Sequence, residues 1–249
     1  MTQADTLTDR YIAVWNEADP ARRRERIEAL WAPGGATTHR LLEARGYDAI
    51  GRRVAGANET WVRDGGFAFR VGEVLAHNEV VRLVWEMVRP ETGEVDTRAL
   101  SHLVLDREGR ILCDYQFAMR AAEADANHQA QAEAYIGFWN ETDPAARAEQ
   151  GRRLWSATGG HADIHGVQRG MREVLAEADR VVEAFAARGR RFRLDGPADG
   201  HHGALRFDWA AEDRGRVVAH GHALLLLDGD DLIDRAYTFD DPRVTALAA

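Results

Sequence analysis

The sequence predicts an α+β fold that occurs twice in tandem, and two observations carry this prediction. Residues 11–23 read YIAVWNEADPARR and residues 135–147 read YIGFWNETDPAAR, so the chain matches itself at an offset of 124 residues. Self-similarity at a fixed offset is typical of a duplicated structural unit. Within each copy, helical patterns come first and strand patterns follow, which indicates helices that cover one face of a curved antiparallel sheet.

The match extends through both copies, although the offset falls to 122 near the end. The further matching pairs are Leu30-Trp31 with Leu154-Trp155, His77 with His201, Arg82 and Trp85 with Arg206 and Trp209, Leu105-Asp106 with Leu227-Asp228, and Phe117 with Phe239. We therefore expect two domains, residues 8–120 and 130–243. The joining segment, residues 120–131, contains neither Pro nor Gly, so a helix that runs into the second domain is expected there.

Three helices and four strands are expected in the first copy. The helices are predicted at about residues 8–17, 20–31 and 47–64. Asp19-Pro20 marks the second helix start, because Asp is a favoured N-cap and Pro a favoured first helical residue. The glycines in Pro33-Gly34-Gly35 and Asp64-Gly65-Gly66 predict helix ends. The strands are predicted at about residues 67–75, 80–89, 97–105 and 111–119, with turn signals between them.

The composition excludes several classes of chemistry. All 32 basic residues are Arg, and the absence of Lys excludes Schiff-base catalysis, a pyridoxal phosphate anchor and a Walker A loop. The two serines, Ser101 and Ser156, do not lie in a G-x-S-x-G nucleophile elbow. The single cysteine, Cys113, excludes an internal disulfide and a multi-cysteine metal site.

Charge and hydropathy limit the partners. A net charge of −9, with Arg and Glu interleaved, argues against nucleic-acid binding. The chain has no apolar run long enough to cross a membrane, and its first residues are polar and acidic. We therefore expect a cytoplasmic protein that binds neither nucleic acid nor membrane.

The motifs Tyr-Ile-x-x-Trp-Asn-Glu-x-Asp-Pro, Leu-Trp, His-x-x-x-x-Arg-x-x-Trp and Leu-Asp recur in both copies. Together they resemble the nuclear transport factor 2-like superfamily, in its SnoaL-like polyketide cyclase branch, which also resembles ketosteroid isomerase. The resemblance implies two cone-shaped domains, each with three helices closing over a strongly curved antiparallel sheet. It also implies an apolar pocket for a small hydrophobic molecule, and a tandem copy would form an internal pseudo-dimer, with a further homodimer left open. The superfamily hosts many activities, so the fold does not assign the reaction.

The resemblance places an acid–base residue eight residues after the Leu-Trp tryptophan, which is Asp163 in the second copy and His39 in the first. A carboxylate in a dry pocket or a histidine can move a proton near neutral pH. The structural alternatives are a turn-capping Asp163 and an exposed His39.

The resemblance also aligns Tyr11 and Tyr135 with a tyrosine that donates a hydrogen bond to a developing enolate. A tyrosine on the apolar face of a helix is otherwise a core residue with a satisfied hydroxyl. The companion acid of that family falls on Ser101 and Ala223, neither of which can serve as a carboxylic acid donor. This departure argues against a faithful ketosteroid isomerase mechanism.

Histidines and arginines form two further groups of candidates. His161, Asp163 and His165 alternate along the chain, and His201, His202, His220 and His222 lie on later strands, so they could form a divalent metal site or occupy ordinary strand positions. We expect no metal and no cofactor, because no compact motif such as H-E-x-x-H is present. Arg82 and Arg206 are expected to form ion pairs with acidic residues, Asp208 being the partner offered to Arg206.

The sequence thus favours a cofactor-independent SnoaL-like enzyme that carries out proton transfer, namely cyclisation, isomerisation or dehydration, on a small carbonyl-bearing metabolite. Its second half, which has more ionisable groups, is the expected site: Asp163 as base, Tyr135 as oxyanion donor and His201 as auxiliary acid or base. The first-half counterparts are His39, Tyr11 and His77. The alternatives are a non-catalytic binding or scaffold protein, and an epoxide hydrolase that uses Asp163 with Asp208.

Overall fold

A computed structural model of the chain describes residues 3–119, 125–186 and 188–241. The chain forms two compact units, Met1–Arg120 and Ala121–Ala249. The described part of each unit has three α-helices and a curved mixed sheet, which confirms the predicted tandem α+β fold. The arrangement of the two units as a pseudo-dimer stays a prediction.

In the first unit, two helices precede the sheet and a third interrupts it. The elements are α1 (Gln3–Asn16), α2 (Pro20–Leu30), β1 (Trp31–His39), β2 (Leu42–Arg45), α3 (Tyr47–Ala57), a π-helix (Asn58–Asp64), β3 (Ala68–His77), β4 (Val80–Val88), β5 (Val95–Leu105) and β6 (Ile111–Ala118). The strand order is β2-β1-β6-β5-β4-β3.

The second unit repeats this plan with one additional strand. Its elements are α4 (Ala126–Asn140), α5 (Pro144–Leu154), β7 (Trp155–Ala162), β8 (Val167–Arg169), α6 (Gly170–Ala186), β9 (Arg190–Leu194), β10 (Asp199–His201), β11 (Ala204–Asp213), β12 (Arg216–Leu227) and β13 (Ile233–Asp240). The strand order is β10-β11-β12-β13-β7-β8, and β9 pairs with β11.

The predicted helix caps are confirmed in both units. The side chain of Asp19 accepts hydrogen bonds from the backbone N–H groups of Ala21 and Arg22, both at 2.9 Å. Asp143 caps α5 in the same way. In the predicted joining helix, residues 120–124 lie outside the described residues, and Asp125 caps α4 at its start.

The sheets differ from the prediction in that each contains two strands the sequence did not predict, β1 and β2 in the first unit and β7 and β8 in the second. The expected sheet was antiparallel, but β1 runs parallel to β6 and β7 runs parallel to β13. The Pro33-Gly34-Gly35 sequence lies inside β1 rather than in a turn, at a register shift between Trp31 and Ala36. A Cβ atom at Gly35 would lie only 2.7 Å from the carbonyl oxygen of Ile111, so this bulge requires glycine.

Each unit buries one hydrophobic core between its helices and its sheet. Trp31 and Trp155 are fully enclosed, at 0% and 2% exposure, and Trp15 and Trp139 are buried beside them. These four paired tryptophans are therefore core residues. Trp61 differs, because the π-helix that carries it leaves 46% of the residue exposed.

Candidate active site

The second unit contains a cavity of about 670 Å³, a volume typical of small-molecule sites. Most of its wall is apolar. The apolar lining residues are Ile136, Trp139, Val181, Ala184, Phe185, Phe192, Trp209, Ala211 and Ala219. The ionisable or polar lining residues are Tyr135, His161, Asp163, His165, Gln168, Glu177, Arg180, Thr238 and Asp240.

Tyr135 supplies an unused hydrogen-bond donor to this cavity. It lies on α4 with 2% of its surface exposed, and its hydroxyl has no hydrogen-bond partner among the described residues. The neighbouring indole N–H of Trp139 can only donate, so it offers the Tyr135 proton no acceptor. Burial, assisted by the charge of Asp163, raises the pKa of the Tyr135 hydroxyl. The group therefore stays protonated and can donate to a ligand.

Asp163 lies directly after β7, where it lines the cavity and also stabilises a turn of the backbone. Its Oδ1 accepts hydrogen bonds from the backbone N–H groups of His165 at 2.7 Å and Gly166 at 2.9 Å. Asp is favoured at such a position because its short side chain can bond to the backbone two residues on. Asp163 therefore both caps this turn and lines the cavity.

His161 is held rigidly beside Asp163. Its Nδ1 lies 2.9 Å from Oε1 of Gln168 and its Nε2 lies 3.1 Å from Oγ1 of Thr238. Burial lowers the pKa of His161, so the neutral ring donates to the Gln168 oxygen and accepts from the Thr238 hydroxyl. Its ring centroid lies 4.9 Å from that of Trp139.

Asp240, at the end of β13, is another carboxyl group in the cavity lining. Burial raises its pKa, the charge of Asp163 raises it further, and His165 opposes the shift. One cavity thus contains a backbone-bonded carboxylate, Asp163, and a carboxyl group that holds its proton more tightly than usual, Asp240. A carboxyl group whose pKa is raised by burial can serve as a general acid.

The first unit uses the equivalent region differently. Its cavity is smaller, about 210 Å³, and Tyr11 lines it. The Tyr11 hydroxyl donates to Oδ2 of Asp114 at 2.7 Å and lies 3.2 Å from Oγ of Ser101. Oδ2 of Asp114 also accepts from Thr37 at 2.9 Å and from Gln116 at 2.8 Å. The Tyr11 hydroxyl therefore already donates its hydrogen bond to Asp114 and does not offer it to a ligand.

The structure brings two of the three second-half candidates together and leaves the third outside. Tyr135 and Asp163 line the larger cavity. His201 lies on β10, buried and in contact with His202, and is not among the lining residues. In the first half, Tyr11 lines the smaller cavity, whereas His39 and His77 lie at strand ends and are not among its lining residues.

The remaining candidates form local ion pairs. Arg82 contacts Glu73 at 2.8 Å and Arg206 contacts Asp208 at 3.7 Å, as expected for both arginines. Asp208 also contacts His222 at 2.7 Å and is not among the residues that line the cavity with Asp163.

No metal centre is visible in the described ranges of the chain. No group of three or more His, Cys, Asp or Glu side chains there is placed to hold a metal ion. Both ring nitrogens of His161 are hydrogen-bonded, one to Gln168 and one to Thr238. His220 pairs with Asp195 at 2.9 Å. The alternating histidines therefore serve separate local contacts.

Sequence reasoning missed Asp240 and Asp114. Both lie on the last strand of their unit, on the strand face that also carries Thr238 or Gln116. Polar residues at every second position of a strand that follows a buried apolar run would have indicated an inward polar face.

Among the described residues, no helix is long and apolar enough to span a membrane. The chain matches no protein-family model and no curated protein. It is similar to solved structures of SnoaL-like and NTF2-like proteins, each of which covers about half of it. A SnoaL-like family protein from Agrobacterium tumefaciens str. C58, provisionally named an isomerase, is 28% identical with a TM-score of 0.45, over 47% of this chain and 99% of its own.

Two further similar structures have no assigned function. A SnoaL-like protein from Burkholderia thailandensis is 17% identical with a TM-score of 0.36, over 47% of this chain and 98% of its own. An NTF2-like protein from Cytophaga hutchinsonii is 9% identical with a TM-score of 0.35, over 49% of this chain and 95% of its own.

Proposed function

We propose that the larger cavity catalyses proton transfer on a small, largely apolar compound that carries a carbonyl group. The observation that carries this proposal is the unpartnered Tyr135 hydroxyl in a cavity that also contains Asp163 and Asp240. Cyclisation, isomerisation and dehydration all begin with removal of a proton next to a carbonyl group. Each can be run by a base, an acid and an oxyanion donor without a cofactor.

The three groups divide the reaction between them. Asp163 takes a proton from the carbon next to the carbonyl group, and the electron pair moves to the carbonyl oxygen. The Tyr135 O–H, which has no acceptor among the described residues, donates to that oxygen as its negative charge develops. Asp240, whose pKa is raised by burial, returns a proton to a carbon or to a departing hydroxyl. It takes the auxiliary role that the sequence predicted for His201.

His161 acts as a positioning residue in this scheme. Its neutral ring links β7 to β13 through Thr238, and it also packs at a tilted angle against Trp139, which lines the cavity. A locked neighbour of this kind holds the reacting groups in a constant geometry.

The test does not require the natural substrate. A two-ring ketone, 2-tetralone, is incubated with the protein in D₂O, and loss of the proton signals next to its carbonyl group is followed by NMR. Asp163→Asn is expected to lower the exchange rate by about 10²–10⁴-fold, the usual contribution of a general base. Asn can accept the same backbone hydrogen bonds, so the turn is kept.

Asp208→Asn is the matched control, because Asp208 lies outside the cavity lining. It is expected to leave the exchange rate unchanged. Exchange no faster than in buffer, or equal rates for the wild type and Asp163→Asn, would contradict the proposed catalysis. Saturable binding of the ketone without exchange would indicate the non-catalytic binding function instead.

The carboxyl pair also favours a second reaction, addition of water to an epoxide. Asp163 would activate the water and Asp240 would protonate the epoxide oxygen as the ring opens, so that Asp240 replaces the predicted Asp208. Hydrolysis of styrene oxide in H₂¹⁸O separates this reaction from proton exchange. Formation of the labelled diol, abolished by Asp163→Asn, would support it.

A further inference from the structure

The smaller cavity, in the first unit, has an electrostatic character that the proposed function does not explain. Its 210 Å³ are lined mainly by aromatic and aliphatic side chains, and no carboxylate is among the lining residues. The lining groups that can form polar contacts through their side chains are those of Tyr11, Arg53, Thr97 and Gln116, together with the indole N–H groups of three tryptophans. The cavity therefore contains one full charge, the positive charge of Arg53.

Arg53 has no anionic partner within the described residues. Its guanidinium lies 5.5 Å from the ring centroid of Trp15, and its Nη2 makes a long hydrogen bond of 3.4 Å to Oε1 of Gln116. Its Nε is buried and makes no hydrogen bond there. A partly buried guanidinium with unused donors is costly unless an anion completes its hydrogen bonds, and the planar donor fork suits a carboxylate.

The duplicated sequence shows that this charge is particular to the first unit. Residue 53 corresponds to Glu177 at the offset of 124, and Glu177 lines the larger cavity. In the larger cavity the arginine, Arg180, is already paired with Glu177. The two cavities thus differ in the sign of the charge at the same helical position.

The size of the smaller cavity and the chemistry of its walls limit the rest of a ligand that carries a carboxylate. A cavity of about 150 Å³ lined by apolar side chains can enclose one benzene ring, so 210 Å³ allows a single ring with a short acid group. Trp15, Trp85 and Phe69 supply aromatic faces inside. Trp61, half-exposed on the π-helix, also lines the cavity, and π-helical segments are frequent at functional sites.

We propose that the smaller cavity binds a monocyclic aromatic carboxylate, with Arg53 paired to the carboxylate and the tryptophans packed on the ring. This site is separate from the larger cavity and does not depend on the function proposed there. The first unit would then bind its own ligand, and its cavity would prefer an anion, unlike the larger cavity.

The test measures binding of phenylacetate to the full chain by calorimetry, with phenylacetamide as the neutral isostere. Phenylacetate is expected to bind at least about tenfold more tightly than the amide, because a charge-assisted pair is roughly twice as strong as a neutral hydrogen bond. Arg53→Gln is expected to remove this preference while it leaves the weak binding of the amide unchanged. Retained amide binding also shows that the variant still has a formed cavity.

Two control variants locate the site. Arg52→Gln removes an exposed charge one residue away on the same helix, and Arg180→Gln removes the arginine of the larger cavity. Both are expected to bind phenylacetate like the wild type. The proposal is overturned by equal affinities for acid and amide, by unchanged binding in Arg53→Gln, by loss of binding in Arg180→Gln, or by no saturable phenylacetate binding at millimolar concentration.

Discussion

Tyr11 and Tyr135 occupy the same place in two copies of one motif, yet their hydroxyl groups have opposite surroundings. The Tyr11 hydroxyl donates to a buried carboxylate, whereas the Tyr135 hydroxyl has no partner among the described residues. The strand register shows the cause: Thr37 lies opposite Asp114 in the first sheet, and His161 lies opposite Ala236 in the second. Replacement of an inward carboxyl by a methyl group removes the acceptor and leaves the phenol free for a ligand.

The other members of the network have changed in the same direction. Ser101, which lies opposite Gln116 in the first sheet, corresponds to Ala223, which lies opposite Thr238 in the second. The first unit has therefore kept a closed polar network and a small cavity, and the second has an open donor in a large cavity. Two duplicated domains can thus differ in the hydrogen-bond partners around a residue that both of them contain.

The largest effect is expected when the acceptor of the first unit is removed. Asp114→Ala leaves Tyr11, Thr37 and Gln116 without the oxygen to which they donate, and each orphaned buried donor costs about 1–3 kcal/mol. We expect a loss of about 3 kcal/mol or more, confined to the first unit and measured by residue-resolved hydrogen exchange. A loss below 1 kcal/mol would show that the network does not stabilise the fold.

Removal of each tyrosine hydroxyl tests the contrast directly. Tyr11→Phe is expected to destabilise the first unit by about 1–3 kcal/mol, because Asp114 loses a donor. Tyr135→Phe is expected to leave stability nearly unchanged and to slow proton exchange on the ketone by about 10²–10³-fold, the usual cost of one oxyanion donor. Equal stability losses in chemical denaturation of the two variants would contradict the difference between the units.

The stability of the first unit is expected to depend on the ionisation of Asp114. Burial raises the pKa of Asp114 in the folded state, so folding favours the protonated form. This contribution is complete below the ordinary Asp pKa and is lost as the pH rises through the higher folded pKa. The free energy of unfolding of the wild type should therefore fall relative to that of Asp114→Asn over this range. A constant difference across the range would show that Asp114 does not change its charge there.

The smallest effect is expected where the two units are alike. Asp19 and Asp143 cap equivalent helices with two backbone hydrogen bonds each. Asp19→Ala and Asp143→Ala should each cost about 1 kcal/mol in the free energy of unfolding of their own unit. A several-fold difference between them would show that the similarity of the two helix starts does not extend to their energetics.

Local rules account for most of the fold that could be predicted. The N-caps, Pro at the first helical position and the antiparallel strands with turns between them all depend on residues close in sequence. The start of α1 was placed late, and β1 and β2 were missed, because Pro33-Gly34-Gly35 has the composition of a turn. It forms a bulged strand only because Gly35 packs against the carbonyl oxygen of Ile111, which is distant in sequence.

The residues of the candidate site were likewise predictable only in part. The repeat in the sequence was sufficient to identify two related domains, and the family resemblance pointed to Tyr135 and Asp163, both of which line a cavity. The relation of Asp240 to Asp163, the exclusion of His201 and the isolated charge of Arg53 depend on which strands and helices meet. Such contacts join residues far apart in the chain, and burial then sets whether a polar group is satisfied, neutral or free to bind. Those properties arise from packing and are not encoded in any short stretch of sequence.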